Sequence, residues 1–303
     1  MFSRLIEKYY WLFFALGMAL GWFVPQATGF LSPYILHMLV IVLFLTMLKM
    51  DAKDVFSHFK NPFLIVCLSL LILIVSPIAF YYFSGLFLPP NYSLAILLLA
   101  AMPAGMSITA YAGIFKGSAS LALTLTMATS LLAPFTVPAV IYFLTGNSLQ
   151  INVFEMIASL SGIIFLPFLL SLIFRKFAAK QINRMEKYFK PAVIILITLI
   201  MAASIAKISG KHLELDSLWL VVLLLFFLAA ALHIIGYYAA FLQGKADRIS
   251  SSLAVAYMNS TLAIVLASSF FGPETLLAVV LYQFPTNIML ILFGWIVGRN
   301  QQK

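Results

Sequence analysis

Two short runs are where this chain could do chemistry: Pro103-Ala104-Gly105, followed by Ser107 and Thr109, and Asn259-Ser260-Thr261. Neither carries an acid, a base or a thiol. What they offer is hydroxyls, one amide and interrupted backbone. Proline removes a donor and clashes with the turn before it, and glycine loosens the chain. Both runs lie inside apolar segments, and in lipid a broken helix is tolerated only where protein or a water-filled cavity satisfies the freed N–H and C=O groups. The chemistry indicated is recognition of a ligand. A proline kink without a ligand is the plainer alternative for the first run.

The two runs are related. Shifting the chain from Met102 onto Met258 also lays Phe115 on Phe271, Leu121 on Leu277, Ala122 on Ala278 and Leu125 on Leu281, without a gap. Interrupted apolar segments at matching places in two halves are the sequence pointer to the site of a secondary transporter.

Further polar candidates fall in neighbouring apolar stretches. Ser118 to Leu144 carries Thr124, Thr126, Thr129, Ser130, Pro134 and Pro138. Positions 126, 130 and 134 share a helical face, although Ser and Thr also join helices together. Gln283 and Asn287 are four apart and face the same way. Amides are costly in lipid, so both should face protein or the site. His233 sits well inside an apolar stretch. It is the candidate for proton coupling, with a hydrogen-bonded packing role as the alternative. Asp51, Asp54, Glu155 and Glu274 all fall near segment ends and read as solvated charges. No HExxH, GxSxG, phosphate-binding lysine loop or glycine-rich dinucleotide loop is present, so the chain is not expected to be an enzyme.

The elements that must position these residues follow from composition. The chain is 64% hydrophobic and 9% charged over 303 residues, where a soluble domain carries about 25% charged residues. An all-α integral membrane protein is expected. Ten spans are read at 9–25, 31–50, 61–88, 92–115, 118–144, 153–174, 190–208, 217–242, 249–270 and 274–298. With the N-terminus in the cytoplasm, the inside segments hold sixteen of the eighteen basic residues, and the outside segments hold only Lys207 and Lys211. Positive charge marks the inside. Both termini are therefore expected in the cytoplasm, in the inner (cytoplasmic) membrane of a cell. The net charge of +9 is then a topology signal that calls for no nucleic acid. Ten spans split into two five-helix repeats of inverted topology, with helices four and nine broken. The expected units are panel helices 1-2 (1–58), core helices 3-5 (59–149), panel helices 6-7 (150–212) and core helices 8-10 (213–303).

The run MPAGMSITAYAGIFKGSASLALTLTMATSLLAPFTVP resembles the bile acid:sodium symporter family, as does AVAYMNSTLAIVLAS. Its broken fourth span typically reads Pro-Gly-Gly-Thr-Ala-Ser-Asn, followed by a Lys/Arg-Gly turn. Its ninth span reads Glu-Val-Gly-Met-Gln-Asn-Ser-Gly. The resemblance covers nearly the whole chain, including the Asn61-Pro62 start of span three. It implies a core of two inverted three-span bundles whose broken helices cross, a four-span panel, and alternating access for organic anions. It also implies two sodium ions held by side chains near the crossing. Here this sequence departs: the family's Ser-Asn pair stands as Ile108 and Thr109, its ninth-span glutamate as Ala254, its glutamine as Met258, and a third-span glutamine as Ile72. Methyl and thioether groups cannot replace oxygen ligands of a hard cation. Asn259 and the span-ten Asn287 are kept.

The expectation is a secondary transporter of a small organic anion by alternating access, without sodium coupling. Ser107, Thr109, Thr126, Asn259, Ser260, Thr261 and Asn287 are the candidate substrate residues. No cofactor and no metal are expected. The partners are the small organic anion and the lipid bilayer. No basic side chain falls at mid-membrane, so half-helix N-termini would receive the anion. The alternatives are a sodium-coupled symporter using a degenerate site, an arsenite or auxin-type exporter, and a non-transporting sensor or channel. Cys67 lies away from the expected crossing and does not favour arsenite.

Overall fold

A computed structural model describes residues 10–49, 62–146, 152–213 and 215–299, with side chains as far as Val297. Arg4, Lys8, Asp51, Asp54, Lys53, Lys60 and the unit boundaries expected at 58 and 149 lie outside the described residues. The regular secondary structure of the described residues is helical apart from one isolated two-residue bridge, treated below, and turns or irregular segments join the helices.

The helices are α1 Tyr10–Phe23, α2 Ile35–Met47, α3 Pro62–Gly85, α4 Pro90–Ala101, α5 Ile108–Ile114, α6 Ala119–Thr145 and α7 Val153–Ala206. They continue as α8 Leu218–Ala239, α9 Lys245–Ala256, α10 Ser260–Phe270, α11 Pro273–Leu281 and α12 Gln283–Arg299. A turn of helix at Pro25–Thr28 and a 3₁₀ segment at Gly29–Tyr34 lead into α2. Six segments are long and apolar enough to cross a membrane by length and composition: Pro25–Met47, Pro62–Gly85, Ala119–Thr145, Val153–Ala206, Leu218–Ala239 and Pro273–Val297. The molecule is an all-α, multi-pass membrane protein.

Two helices depart from regular geometry for identifiable reasons. In α3, Leu71–Val75 widens to a π turn. Pro77 follows, and its ring would clash with the carbonyl of Leu73 four residues back; widening the turn relieves that clash. In α7 the polar stretch 175–190, expected as a loop, is helical and broken only at Ala178 (φ −129°, ψ 25°). The bend there is sharp. Phe44 of α2 meets Phe174 edge-on, and it also packs on the cluster of Leu48, Ile182 and Phe189. A straight helix would hold Phe174 and Phe189 about 22 Å apart. Arg175 secures the bend by donating from Nε to the Leu48 carbonyl at 2.8 Å.

Burial separates inner from outer helices. Every residue from Tyr92 to Ala101 of α4 is buried, and so is every residue from Leu262 to Ala267 of α10. A helix apolar on all sides belongs in the centre. Outer helices carry apolar side chains outward instead, such as Leu169 and Ile173 of α7 and Leu223 and Ile234 of α8. Small residues let helices approach closely. A Cβ on Gly17 would stand 2.6 Å from the Thr198 carbonyl oxygen, joining α1 to α7; on Gly236 it would stand 2.8 Å from that of Ser251, joining α8 to α9.

Candidate functional site

The two sequence interruptions meet in space. Helix α4 ends at Ala101, and Met102 turns extended (φ −68°, ψ 146°). Helix α9 ends at Ala256. Between them the chains exchange two backbone hydrogen bonds: Gly105 N–H donates to Tyr257 O at 2.6 Å, and Asn259 N–H donates to Pro103 O at 2.8 Å. Ala104 and Met258 form the antiparallel bridge at their centre. The breaks thus satisfy one another, which is the condition for unwound backbone in a membrane. Pro103 suits its place because a carbonyl is used there and no N–H is needed. Gly105 is required by proximity: a Cβ would stand 2.9 Å from Tyr257 O and 3.3 Å from Met258 O.

Helix α6 supports the crossing from behind. Ala104 N–H donates to Thr129 Oγ1 at 3.1 Å, and that hydroxyl donates back to Leu125 O at 2.7 Å. Thr126 Oγ1 donates to Ala122 O at 2.9 Å and lies 3.4 Å from Gly105 O. Both threonines are fully buried. On the other break, Asn259 Oδ1 accepts from Leu262 N–H at 3.1 Å and caps α10.

A cavity of about 280 Å³ lies between the crossing and the pair α2 and α7. Gly105, Met106, Ser107, Met258, Asn259, Ser260 and Thr261 form one wall, and Val42, Leu43, Val193 and Ile197 the other. Thr46, Lys49, Phe189 and Lys190 also line it. Four of the expected residues, Ser107, Asn259, Ser260 and Thr261, come together on this wall. Three stand elsewhere. Thr126 is spent on backbone at the rear of the crossing. Thr109 is absent from the lining, and its Oγ1 is buried without a hydrogen-bond partner. Asn287 Oδ1 accepts from Tyr10 of α1 at 2.7 Å while its Nδ2 donates to Gln283 O at 2.6 Å.

The basic side chains Lys49 and Lys190 on the cavity lining were not anticipated. Read as span-end charges, they counted only toward topology. The signal that could have found them is the sharp return of α7, which brings Phe189 and Lys190 back beside the end of α2. At the other end of α10, Lys207 Nζ donates to Ser268 O at 2.7 Å and lies 3.1 Å from Ser268 Oγ, binding the end of α7 to the C-terminal turn of α10.

His233 is not on the cavity wall. Ser252 Oγ donates to the His233 carbonyl at 2.8 Å and lies 3.1 Å from its Nδ1. The hydroxyl's one proton is used on the carbonyl, so Nδ1 carries the hydrogen of that second contact. The ring stacks on Phe293 at 4.7 Å and meets Tyr257 edge-on at 5.4 Å. At the positions where oxygen ligands are missing, Ile72, Ile108, Ala254 and Met258 are all buried. Among the described residues no three His, Cys, Asp or Glu side chains gather as a metal group.

The model of the Sodium Bile acid symporter family matches residues 36–213, more than half of the chain, from α2 to the end of α7. An uncharacterized sodium-dependent transporter of Bacillus subtilis is 25% identical over 261 residues, covering 84% of this chain and 79% of that protein. A probable sodium/metabolite cotransporter of rice (Oryza sativa) chloroplasts is 24% identical over 282 residues, covering 89% of this chain and 69% of that protein.

Proposed function

Because the chain belongs to the sodium bile acid symporter family, whose members are transporters and not enzymes, we propose that it moves a small organic anion by alternating access without sodium coupling. One observation carries the reading. The cavity beside the crossed breaks combines the N-terminal turn of α10 (Asn259, Ser260, Thr261) with two cations, Lys49 and Lys190, the hydroxyls of Ser107 and Thr46, and an apolar remainder that includes Val42, Leu43, Val193 and Ile197. A helix N-terminus and ammonium groups both favour an anion. At about 280 Å³ the space lies at the small end of ligand clefts, which favours a compact carboxylate or sulfonate over a large amphipath.

In this proposal ten spans form two inverted repeats, with α1, α2 and α7 as the panel and α3–α6 with α8–α12 as the core. Lys49 and Lys190 belong to the cytoplasmic side, so the cavity opens inward. Lys207 on Ser268 closes the outer end. Outward opening would break that bond and close the basic mouth around the departed substrate. Cysteine labelling checks the orientation: Gly146→Cys should react from outside and Gln181→Cys from inside, and the reverse would overturn it.

The absence of sodium coupling rests on Ile72, Ile108, Ala254 and Met258, whose side chains supply no oxygen. A sodium-coupled reading is favoured by a different observation: Thr109 Oγ1 and Ser130 Oγ are buried hydroxyl oxygens without hydrogen-bond partners, and both relatives described above are named for sodium. The deciding experiment is uptake of a panel of small carboxylates by proteoliposomes, with choline replacing sodium at fixed pH. Uptake that persists in choline supports the first reading. Uptake that vanishes in choline and returns with added sodium establishes the second.

A further inference from the structure

Helix α7 is too long for one crossing. Its 54 residues would reach about 80 Å if straight, against a hydrocarbon core of about 30 Å. The bend at Ala178 divides it into two arms, 153–177 and 179–206. Each arm exceeds that core by roughly 10 Å, comparable with one headgroup layer. Charge decides where the excess emerges. Residues 175–190 hold six basic side chains and one acid, Glu186, and such a stretch is excluded from hydrocarbon. The elbow of α7 therefore stands among lipid headgroups.

Its side chains are sorted by face. Ile182 and Phe189 are buried in a cluster with Leu48. Lys180, Arg184 and Lys187 fall in one stripe on the opposite side of the helix, and all three are exposed. Glu186 lies roughly 130° round from that stripe. Tyr188 and Met185 come between the stripe and the buried face and are 56% and 54% exposed; Phe177, just before the bend, is 78% exposed. Lys187 Nζ sits 5.0 Å from the Tyr188 ring centre, and Lys176 Nζ 5.6 Å from that of Phe177. A face meant only for water mixes both signs of charge and carries few large apolar side chains. A stripe of one sign, bordered by exposed rings with ammonium groups beside them, is the make-up of a helix at a lipid interface.

We propose that the elbow of α7 is a docking surface for anionic phospholipid. Headgroup phosphates lie along Lys180, Arg184 and Lys187, and Phe177, Met185 and Tyr188 enter the upper acyl region. The occupant follows from charge and place. Basic clusters directly flanking a span attract anionic lipid, and a small soluble anion would leave the apolar flank in water. The surface runs on into the cavity, because Phe189 and Lys190 of the next turn line it. Lipid at the elbow thus steadies one wall of the proposed substrate site.

The test is native mass spectrometry of the full chain with equimolar phosphatidylglycerol and phosphatidylcholine of the same acyl chains. Phosphatidylglycerol should be preferred by about fivefold or more and should raise Tm. Replacing the stripe together (Lys180→Gln, Arg184→Gln and Lys187→Gln) should cut that preference at least about threefold and abolish the Tm rise. Equal retention of the two lipids overturns the proposal, as does a smaller loss in the triple variant. A second measurement does not depend on that variant. A nitroxide on Met185→Cys, in a Cys67→Ser background and phosphatidylglycerol bilayers, should be relaxed more by oxygen than by an aqueous nickel chelate. The reverse order would put this flank in water or under a soluble partner and overturn the lipid assignment. Neither readout depends on transport, so a failure here leaves the proposed function standing.

Discussion

The two breaks at the crossing solve one problem by different means. The first runs from Met102 to Ser107, contains proline and glycine, and ends in a residue whose side chain caps nothing. It depends on neighbours: Thr129 receives its Ala104 N–H, and Tyr257 receives its Gly105 N–H. The second spans only Tyr257 to Asn259, contains neither proline nor glycine, and restarts its helix with its own Asn259 cap. The first break is built by removing local options, so its shape is enforced from outside. The second is built by adding a local partner, so it can hold its shape while presenting Ser260 and Thr261 to the cavity. In the proposed function, one side serves as scaffold and the other as recognition.

The most damaging test of that contrast is Gly105→Ala. The new Cβ would press on two carbonyl oxygens at about 3 Å, where strain of about 1–3 kcal/mol is ordinary. Uptake should fall to background and Tm should drop, because the crossing itself must move apart. A Gly105→Ala protein with unchanged uptake would show that the first break is not enforced by contact.

Asn259→Ala should come next. It removes the cap, which costs about 1 kcal/mol, and takes an amide from the cavity wall. Substrate binding, measured calorimetrically, should be lost while the protein still elutes as a folded species. Ser107→Ala, on the scaffold side, should weaken binding far less. Equal losses at the two positions would erase the division of roles.

Lys190→Gln should raise the KM of uptake by about three- to tenfold and leave kcat nearly unchanged, because an exposed cation at a cavity mouth acts on encounter and ground-state binding. Raised ionic strength should narrow the gap between variant and parent. An effect on kcat alone would place the residue in the conformational step instead.

The smallest expected change concerns His233, which stands behind the second break through Tyr257. His233→Gln should leave substrate affinity within about twofold and flatten any dependence of uptake on pH if the imidazole carries the coupled proton. A pH profile identical to the parent's would confine the ring to packing against Phe293 and Tyr257.

Much was legible in the residues alone. The apolar composition required a membrane protein, because so few charges cannot cover a soluble surface of this size. Pro103, Ala104 and Gly105 marked one break, and the offset from Met102 to Met258 marked the other. Those signals are local, and backbone chemistry acts locally. Membership of the family could be read from the same stretches. The register of the crossing could not. Which carbonyl receives Gly105 N–H depends on a partner more than 150 residues away, and no local preference encodes it. The roles of Thr126 and Asn287 were likewise open until packing turned the first toward the Gly105 carbonyl and set the second against Tyr10. Helical spacing fixes which side chains share a face but not what that face meets. Lys49 and Lys190 show this most clearly: their charge was visible in the sequence, and only the sharp bend at Ala178 brought them to one cavity.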